Sequence, residues 1–216
     1  MASVTRSKTT HRDRRTATAR RVLDATDALL RGGERFTEIP VERLLAEADV
    51  SRSTFYVHFA DKSVLLMQLA EQALADIATA ADVWWALNHV DNPEPAAKTI
   101  RGMIKVYRRH AHIMRAITEV STYDDGINSL QRRWIEEYTA LSVGRMAQEQ
   151  EQGLIGADVD IEYVAALIIR LINSSIIDHI AYGSPRNDAR LANTLARVGW
   201  LSRYGSAPAS GAAGQG

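Results

Sequence analysis

The segment SRSTFYVHFADKSVL, residues 51–65, carries the strongest structural signal in this 216-residue chain. On a helix, Phe55 and Phe59 are four residues apart and share one face, which can pack against other helices. Hydroxyl, phenol and guanidinium groups then lie on the remaining surface, beside the free N–H groups at the helix start. A helix start with so many hydrogen-bond donors is typical of a surface that binds anionic groups.

The residues before this segment predict a second short helix and a sharp turn. VERLLAEA, residues 41–48, has apolar side chains on one face, and Asp49 follows where the chain must turn. Ser51 is placed to cap the next helix by accepting a hydrogen bond from a free N–H group. Two short helices joined by a tight turn, after a longer helix at residues 16–31, indicate a helix-turn-helix motif.

Helical spacing of apolar residues continues along the rest of the chain. No segment alternates apolar and polar residues as a half-buried strand does, so the sequence predicts an all-α fold. Glycine, proline and aspartate mark the breaks between helices. Nine helices are predicted, at residues 16–31, 41–48, 52–59, 61–87, 96–109, 112–122, 127–152, 161–182 and 187–202.

The composition excludes several classes of site and partner. The chain has no cysteine, which removes disulfides, thiol catalysis and Cys-based zinc sites and fits a cytoplasmic location. Its net charge is zero, but residues 1–62 hold 12 Lys and Arg against 9 Asp and Glu. The basic arm at residues 1–15 indicates an anionic partner or a solvated tail. The most apolar segment, residues 164–177, is too short to cross a membrane.

The helix-turn-helix segment closely resembles that of TetR/AcrR-family transcriptional regulators. The matching stretches are VSRSTFYVHFADKSVLL, residues 50–66, and the preceding FTEIPVERLLAEADV, residues 36–50. The resemblance implies a nine-helix, two-domain regulator. After the flexible arm, an N-terminal helix-turn-helix DNA-binding domain covers residues 16–62, and a C-terminal helical ligand-binding and dimerisation domain covers residues 63–204. The Gly/Ala/Ser-rich tail, residues 205–216, is expected to be disordered.

This resemblance implies a surface for double-stranded operator DNA. It assigns phosphates to Thr54, Tyr56 and Lys62, and base edges to Arg52 and Ser53. For His58, packing within the small domain is favoured over direct contact with a base. The predicted DNA-binding residues are Arg14, Arg15, Ser51, Arg52, Ser53, Thr54, Tyr56, His58 and Lys62.

Two residues depart from the family pattern. Pro40 stands where the family usually has a serine or threonine that caps the second helix and touches phosphate. Asp49 stands at the usual turn glycine, where a carboxylate would repel phosphate. Both departures argue against phosphate contacts from the second helix.

Polar-tipped aromatic residues in the body indicate a small-molecule site. Trp134 and Tyr138 are four residues apart, as are Met103 and Tyr107, and Asn173 interrupts an apolar helix. Apolar cavities walled by aromatic side chains with one or two amides bind small molecules, although each residue alone is equally explained as core. The predicted ligand-binding residues are Met103, Tyr107, Trp134, Tyr138 and Asn173.

The body also resembles, more weakly, that of a mycobacterial family member that represses ethionamide activation. The similar segments are residues 133–153, 171–181 and 197–205. This resemblance assigns ligand binding to Asn173 and implies an elongated, hydrophobic effector.

The last two helices are predicted to form a homodimer. The helix at residues 161–182 is apolar on most sides, so one face can pack inside the chain while another meets a partner. Packing within a monomer is the alternative. The predicted interface residues are Ile169, Ile176, Leu191, Leu195 and Val198.

The function predicted is a ligand-responsive regulator, a repressor released from a palindromic operator by a small hydrophobic effector. No cofactor, metal ion or membrane partner is expected. An enzyme is the first alternative, but no nucleophile elbow, phosphate loop or metal-binding helix is present. A helical protein-interaction module that has lost DNA binding is the second, and Pro40 and Asp49 favour it.

Overall fold

The computed structural model describes residues 5–86 and 90–205, with side chains described for residues 15–84 and 90–205. Within these ranges the chain forms nine α-helices and two 3-10 helices, which confirms the all-α prediction. The α-helices are α1 (Thr5–Arg31), α2 (Val41–Ala48), α3 (Arg52–His58), α4 (Lys62–Asp82), α5 (Glu94–Arg109), α6 (Ala111–Val120), α7 (Asp125–Glu151), α8 (Ile161–Tyr182) and α9 (Asp188–Tyr204). The 3-10 helices are Val83–Ala86 and Pro185–Asn187.

Helix α1 is longer than the sequence predicted. It begins at Thr5 rather than at residue 16, so most of the predicted flexible arm is helical. The physical reason is that no proline or glycine occurs between residues 5 and 31 to end the helix. Residues 1–4 of the arm and 206–216 of the tail lie outside the described residues.

Helix α4 is shorter than predicted. It ends at Asp82 and continues into the 3-10 helix, and the predicted end at residue 87 lies outside the described residues. Its start agrees with the sequence, because the Asp61 carboxylate accepts a hydrogen bond from the Val64 N–H at 2.9 Å.

The chain divides into two compact units, but not at residue 62. Unit 1 contains the chain up to residue 75 together with residues 110–130, and unit 2 contains residues 76–109 and the chain from residue 131 onward. Helix α6 packs against α1, which explains why it groups with the helix-turn-helix in unit 1. The division into a DNA-binding domain and a ligand-binding domain stays a prediction.

Unit 1 packs α1, α2 and α3 around two phenylalanines. Phe55 and Phe59 are fully buried, with ring centroids 5.4 Å apart, as their spacing on α3 predicted. Asp49 turns the chain between α2 and α3 with φ 51° and ψ 55°, which is the left-handed conformation expected at this position. The helix-turn-helix geometry is therefore present.

Unit 2 is a bundle in which α5 packs against both α8 and α9. Arg108 binds the Asp188 carboxylate with two hydrogen bonds of 2.9 and 2.5 Å, and Arg101 donates to Asn193 at 2.7 Å. The later α5 residue, Arg108, binds the earlier α9 residue, and the earlier α5 residue, Arg101, binds the later one. The two helices therefore run antiparallel.

Two helices, α4 and α8, are long and apolar enough to cross a membrane by length and composition alone. Inside the protein, 44% of the apolar window of α4 and 17% of that of α8 are buried. These two helices are weak evidence for a membrane span, since core helices of other proteins meet the same criterion. The low burial of α8 leaves much of its apolar surface uncovered by this chain.

Candidate DNA-binding surface and ligand cavity

Hydroxyl groups cluster at the start of α3. Ser51 caps the helix by accepting a hydrogen bond from the Thr54 N–H at 3.2 Å. Its Oγ also lies 2.7 Å from the Thr54 hydroxyl and 3.1 Å from the Ser53 hydroxyl. The cap was predicted from Ser51 alone, and it fixes three predicted DNA-binding residues in one place.

Arg52 lies beside this cluster, next to an exposed carboxylate. Its Nη1 is 2.5 Å from Glu42 Oε1 on α2, and its guanidinium lies over the Tyr56 ring at 5.8 Å. Ion pairs between exposed side chains contribute only about 0–1 kcal/mol. DNA can therefore displace Glu42 from Arg52 at small cost.

The outer face of α3 is open to solvent. Tyr56 is 45% exposed and Val57 is 60% exposed, although both are large apolar or aromatic side chains. Together with Arg52 and Ser53, they form one accessible face opposite the buried phenylalanines. We call the exposed side chains of Arg52, Ser53, Tyr56 and Val57 the α3 face.

Three further predicted DNA-binding residues are His58 and two arginines of α1, Arg14 and Arg15. His58 is half-buried, and burial and the nearby Arg15 charge both lower the pKa of its imidazole. Arg15 is exposed, so it stays a candidate for phosphate. The Arg14 side chain lies outside the described residues. Burial supports the packing interpretation of His58.

Lys62 makes internal contacts rather than presenting its charge to solvent. Its ammonium donates to the carbonyl oxygens of Phe36 at 2.6 Å and Ile39 at 2.5 Å, and it lies 4.7 Å from the centre of the Phe36 ring. Burial lowers the pKa of Lys62, while Glu119 opposes that shift. This geometry favours a role in positioning the loop before α2 over the predicted phosphate contact.

Pro40 and Asp49 occupy the positions where the sequence departs from the family pattern. Pro40 precedes α2 in an extended conformation and makes no side-chain cap hydrogen bond. The Asp49 side chain is fully exposed, and its carboxylate lies 4.0 Å from Arg21 on α1. A nearby cation partly offsets the repulsion that this carboxylate would exert on phosphate.

Unit 2 contains a cavity between its helices. Its empty space is about 610 Å³, counting the part that opens to solvent. All five residues predicted from the sequence as ligand-binding line this cavity: Met103, Tyr107, Trp134, Tyr138 and Asn173. Apolar side chains from α5 and α8 form much of the remaining wall, including Ile100, Ile168 and Ile172.

Two hydrogen bonds organise the polar groups of the cavity wall. The Tyr107 hydroxyl donates to Asn173 Oδ1 at 2.7 Å, which gives the half-buried asparagine a hydrogen-bond partner. The Tyr138 hydroxyl donates to Asp82 Oδ1 at 3.2 Å. Burial raises the pKa of both phenols, and the neighbouring Asp82 raises that of Tyr138 further. Both tyrosines are therefore neutral hydrogen-bonding groups.

Four polar or aromatic residues of the cavity were not predicted from the sequence: Trp84, Thr99, Ser142 and Arg203. Ser142 could have been found, because it continues the spacing of Trp134 and Tyr138 along α7. Arg203 could not, since an arginine in the last turn of a helix is most often solvated.

The predicted dimer residues fall into two groups. Ile176 and Leu195 are buried in the core of this chain, so these two predictions are wrong. Ile169 is half-buried and lines the cavity, and its place in an interface stays a prediction. Leu191 is half-buried and Val198 is exposed. The error arises because an all-round apolar helix gives no periodic signal to distinguish its inner face from its outer one.

Another face of α8 and α9 carries exposed apolar side chains. Leu167 is 63% exposed, at the middle of a stripe in which successive residues are four apart. We call this surface the α8–α9 face. Its exposed residues are Tyr163, Leu167, Leu171, Val198 and Leu201.

Histidine and serine side chains of the types used in catalysis and metal binding have structural partners in this protein. His179 lies 2.8 Å from Asp188, and Ser174 donates to the Arg170 carbonyl oxygen at 2.8 Å, so they do not form a nucleophile–base pair. His112 lies 2.6 Å from Asp27 in unit 1. Across the described part of the chain, no three His, Asp or Glu side chains are grouped to hold a metal ion.

Comparison with solved structures identifies the fold. GusR from Salmonella enterica aligns with a TM-score of 0.62 and 21% identity, over 85% of this chain and 93% of that one. A TetR transcription regulator from Haloarcula marismortui aligns with 0.64 and 15%, over 87% and 98%. The TetR-family regulator PfmR from Thermus thermophilus aligns with 0.60 and 17%, over 84% and 94%.

The chain therefore has the fold of TetR-family transcriptional regulators, with a helix-turn-helix and a helical C-terminal part. The sequence matches no protein-family model and no curated protein. The finer resemblance to a mycobacterial repressor of ethionamide activation stays a prediction.

Proposed function

We propose that this protein is a DNA-binding transcriptional regulator that responds to a small, mainly apolar ligand. The α3 face carries the proposal: it exposes an arginine, a serine, a tyrosine and a valine on a helix whose other side is fully buried. The cavity of unit 2 supports the proposed response to a ligand, because its walls combine aromatic side chains with a few polar groups.

On DNA, α3 would enter the major groove by its N-terminal end. Thr54 and Tyr56 would donate to phosphates, and Arg52 would exchange Glu42 for a guanine edge. Lys62 would act indirectly, by holding the loop before α2. Arg15 would add a phosphate contact from α1.

We propose a homodimer that is formed through the α8–α9 face. Exposed leucine and tyrosine side chains four residues apart form an apolar stripe that a second copy would cover. A dimer would place two copies of α3 in successive major grooves of a palindromic operator, about 34 Å apart or a multiple of it.

A ligand can release DNA only if it binds the DNA-free state more tightly. Repression relieved by such a ligand, in the cytoplasm, is the mode we propose. Catalysis has no support from the fold or from the arrangement of the cavity residues.

Fluorescence anisotropy with the DNA upstream of the protein's own gene, measured across a salt series, tests DNA binding. A regulator should bind one sequence selectively, and the logarithm of its affinity should fall linearly with the logarithm of salt concentration. A duplex of the same composition in scrambled order is the control.

The same salt series distinguishes a DNA-binding regulator from a protein-interaction module. Absence of salt-sensitive binding to any duplex, including duplexes selected from a random pool, would overturn the regulator and favour that module. Reverting Pro40 to serine and Asp49 to glycine would then show whether these two residues had abolished DNA binding.

A further inference from the structure

Two buried hydrogen-bond donors at the cavity have no hydrogen-bond partner among the side chains and backbone that the structure describes. Arg203 Nε and Trp134 Nε1 are both inaccessible to solvent, and neither donates a hydrogen bond within the described part of the chain. Both side chains line the cavity. A buried donor without an acceptor costs about 1–3 kcal/mol, so two of them at one cavity indicate acceptors that a ligand supplies.

The Arg203 side chain is held firmly at its end of the cavity. It is only 4% exposed, its Nη2 donates to Ser142 Oγ at 3.0 Å, and its guanidinium lies 5.2 Å from the centre of the Trp84 ring. The Ser142 hydrogen bond satisfies one donor, the Trp84 ring covers one face of the guanidinium, and the Tyr204 hydroxyl is a further hydrogen-bonding neighbour. They supply no negative charge, so the Nε edge is left to an acceptor from elsewhere.

The charges around Arg203 do not balance. Glu149 is the carboxylate that attracts the Arg203 charge. Its two oxygens, however, accept hydrogen bonds from Arg145 Nε at 2.8 Å and from the Tyr204 hydroxyl at 2.8 Å. Arg145 is partly exposed to solvent, whereas Arg203 is buried and has no carboxylate of its own within the described part of the chain. Such a charge is costly unless an anion compensates it.

The two unpartnered donors lie at different depths along the cavity. Trp134 and Ser142, which binds Arg203, are eight residues apart on α7. At a rise of 1.5 Å per residue they are separated by about 12 Å along the helix axis. Asn173 also lines the cavity, and its Oδ1 is engaged by Tyr107, so its amide N–H groups add donors to the wall.

We propose that the ligand is an elongated, mainly apolar carboxylate, whose carboxylate binds Arg203 and whose far end carries a neutral acceptor for Trp134. Isoleucine and methionine side chains of α5 and α8 line the cavity and suit a hydrocarbon chain. The ligand's part in releasing DNA rests on the proposed function, whereas its binding to Arg203 does not.

Calorimetric titration of the purified protein with decanoate, decanol and decylamine tests the ligand class. These probes share one chain and differ in the charge of the head group. Decanoate should bind about 10- to 100-fold more tightly than decanol, as a charged hydrogen bond in a buried site predicts, and decylamine should bind most weakly. Equal affinity for decanoate and decanol in the unmodified protein would overturn the proposal.

Variants locate the two ends of the ligand. Arg203→Met should remove the preference for decanoate over decanol, whereas Arg197→Met, at an exposed arginine of the same helix, should retain it. Trp134→Phe keeps the ring and removes the N–H, so it should weaken the ω-hydroxy derivative of decanoate several-fold but not decanoate itself. Retained preference in a folded Arg203→Met protein would refute the assignment. If that variant does not fold, the Trp134→Phe result and the probe series decide.

The same probes, added to the protein–DNA complex, separate this inference from the proposed function. If decanoate binding depends on Arg203 but the protein binds no DNA, the carboxylate site is supported and the proposed regulatory function is refuted. If decanol and decanoate release DNA equally well, the regulatory function is supported and the carboxylate site is refuted.

Discussion

Arg52, the side chain proposed to read a base edge, is held in position before DNA is present. Glu42 and the Tyr56 ring hold the guanidinium at the surface of α3, so that less side-chain freedom is lost on binding. The Glu42 carboxylate also disfavours phosphate nearby, which favours a base edge as the target of Arg52.

Substitutions of Arg52 and Tyr56 should affect DNA binding differently. Arg52→Ala should reduce discrimination between operator and random DNA by roughly 1–3 kcal/mol, because a base contact is lost. Tyr56→Phe should weaken binding to all sequences alike, because a phosphate contact is lost. Anisotropy with both duplexes measures this, and Arg197→Ala is the matched control. An equal loss on both duplexes for Arg52→Ala would show that Arg52 binds phosphate instead.

Asp49 is the only residue other than glycine with positive φ in the described part of the chain. An L-residue other than glycine is disfavoured in the left-handed region, although aspartate tolerates it better than most. We expect Asp49→Gly to stabilise the protein by roughly 0.5–1 kcal/mol, and Asp49→Ala to destabilise it. Denaturant unfolding measures both, and a less stable glycine variant would mean that the Asp49–Arg21 attraction outweighs the strain.

At the scale of elements, α6 acts as a support for the helix-turn-helix. Glu119 on α6 accepts hydrogen bonds from the Thr37 hydroxyl and from Arg35 at 3.1 Å, in the loop that follows α1. Lys62, at the start of α4, donates to carbonyls of the same loop. This loop is thus held from two helices that are distant in sequence, which explains why α6 belongs to unit 1.

The contact between α1 and α6 should make stability depend on pH. Burial alone would raise the pKa of Asp27, but hydrogen bonds from His112 and Arg31 lower it below its ordinary value of 3.8. A carboxyl with a lowered folded-state pKa stabilises the protein above its unfolded-state pKa, and this contribution is lost as pH falls through the folded value.

The thermal unfolding midpoint should therefore be higher for the wild type than for Asp27→Asn at neutral pH. The difference should narrow as the pH falls below about 4, where the Asp27 carboxyl takes up a proton. Circular dichroism across a pH series measures it, with Asp24→Asn, at an exposed aspartate of α1, as the control. A difference that stays constant down to pH 2 would contradict the assignment.

At the scale of the whole molecule, the orientation of α8 leaves the apolar α8–α9 face exposed. Leu167→Glu should convert a dimer into a monomer, because it buries a charge without a partner in an apolar contact. Sedimentation velocity measures the assembly state, and Leu141→Glu, at an exposed leucine of α7, is the control. A Leu167→Glu protein that sediments as a dimer would place the interface elsewhere.

Much of the cavity was accessible from the sequence because helical spacing is a local property. Residues four apart on one helix must share a face, so Met103 with Tyr107 and Trp134 with Tyr138 could be paired without a structure. Arg203 could not be found this way, since its burial depends on contacts with Ser142 and Trp84, which are far from it in sequence.

Local chemistry in the sequence was sufficient for the helices, for the Ser51 cap, for the left-handed Asp49 and for the buried face of α3. These features depend on periodicity, hydrogen-bonding capacity and backbone sterics within a few residues. Which side of α8 is buried, where Lys62 directs its charge and why α6 joins the helix-turn-helix depend on packing between distant helices. Such packing selects one of several faces that are equally apolar in sequence, and so it emerges only in three dimensions.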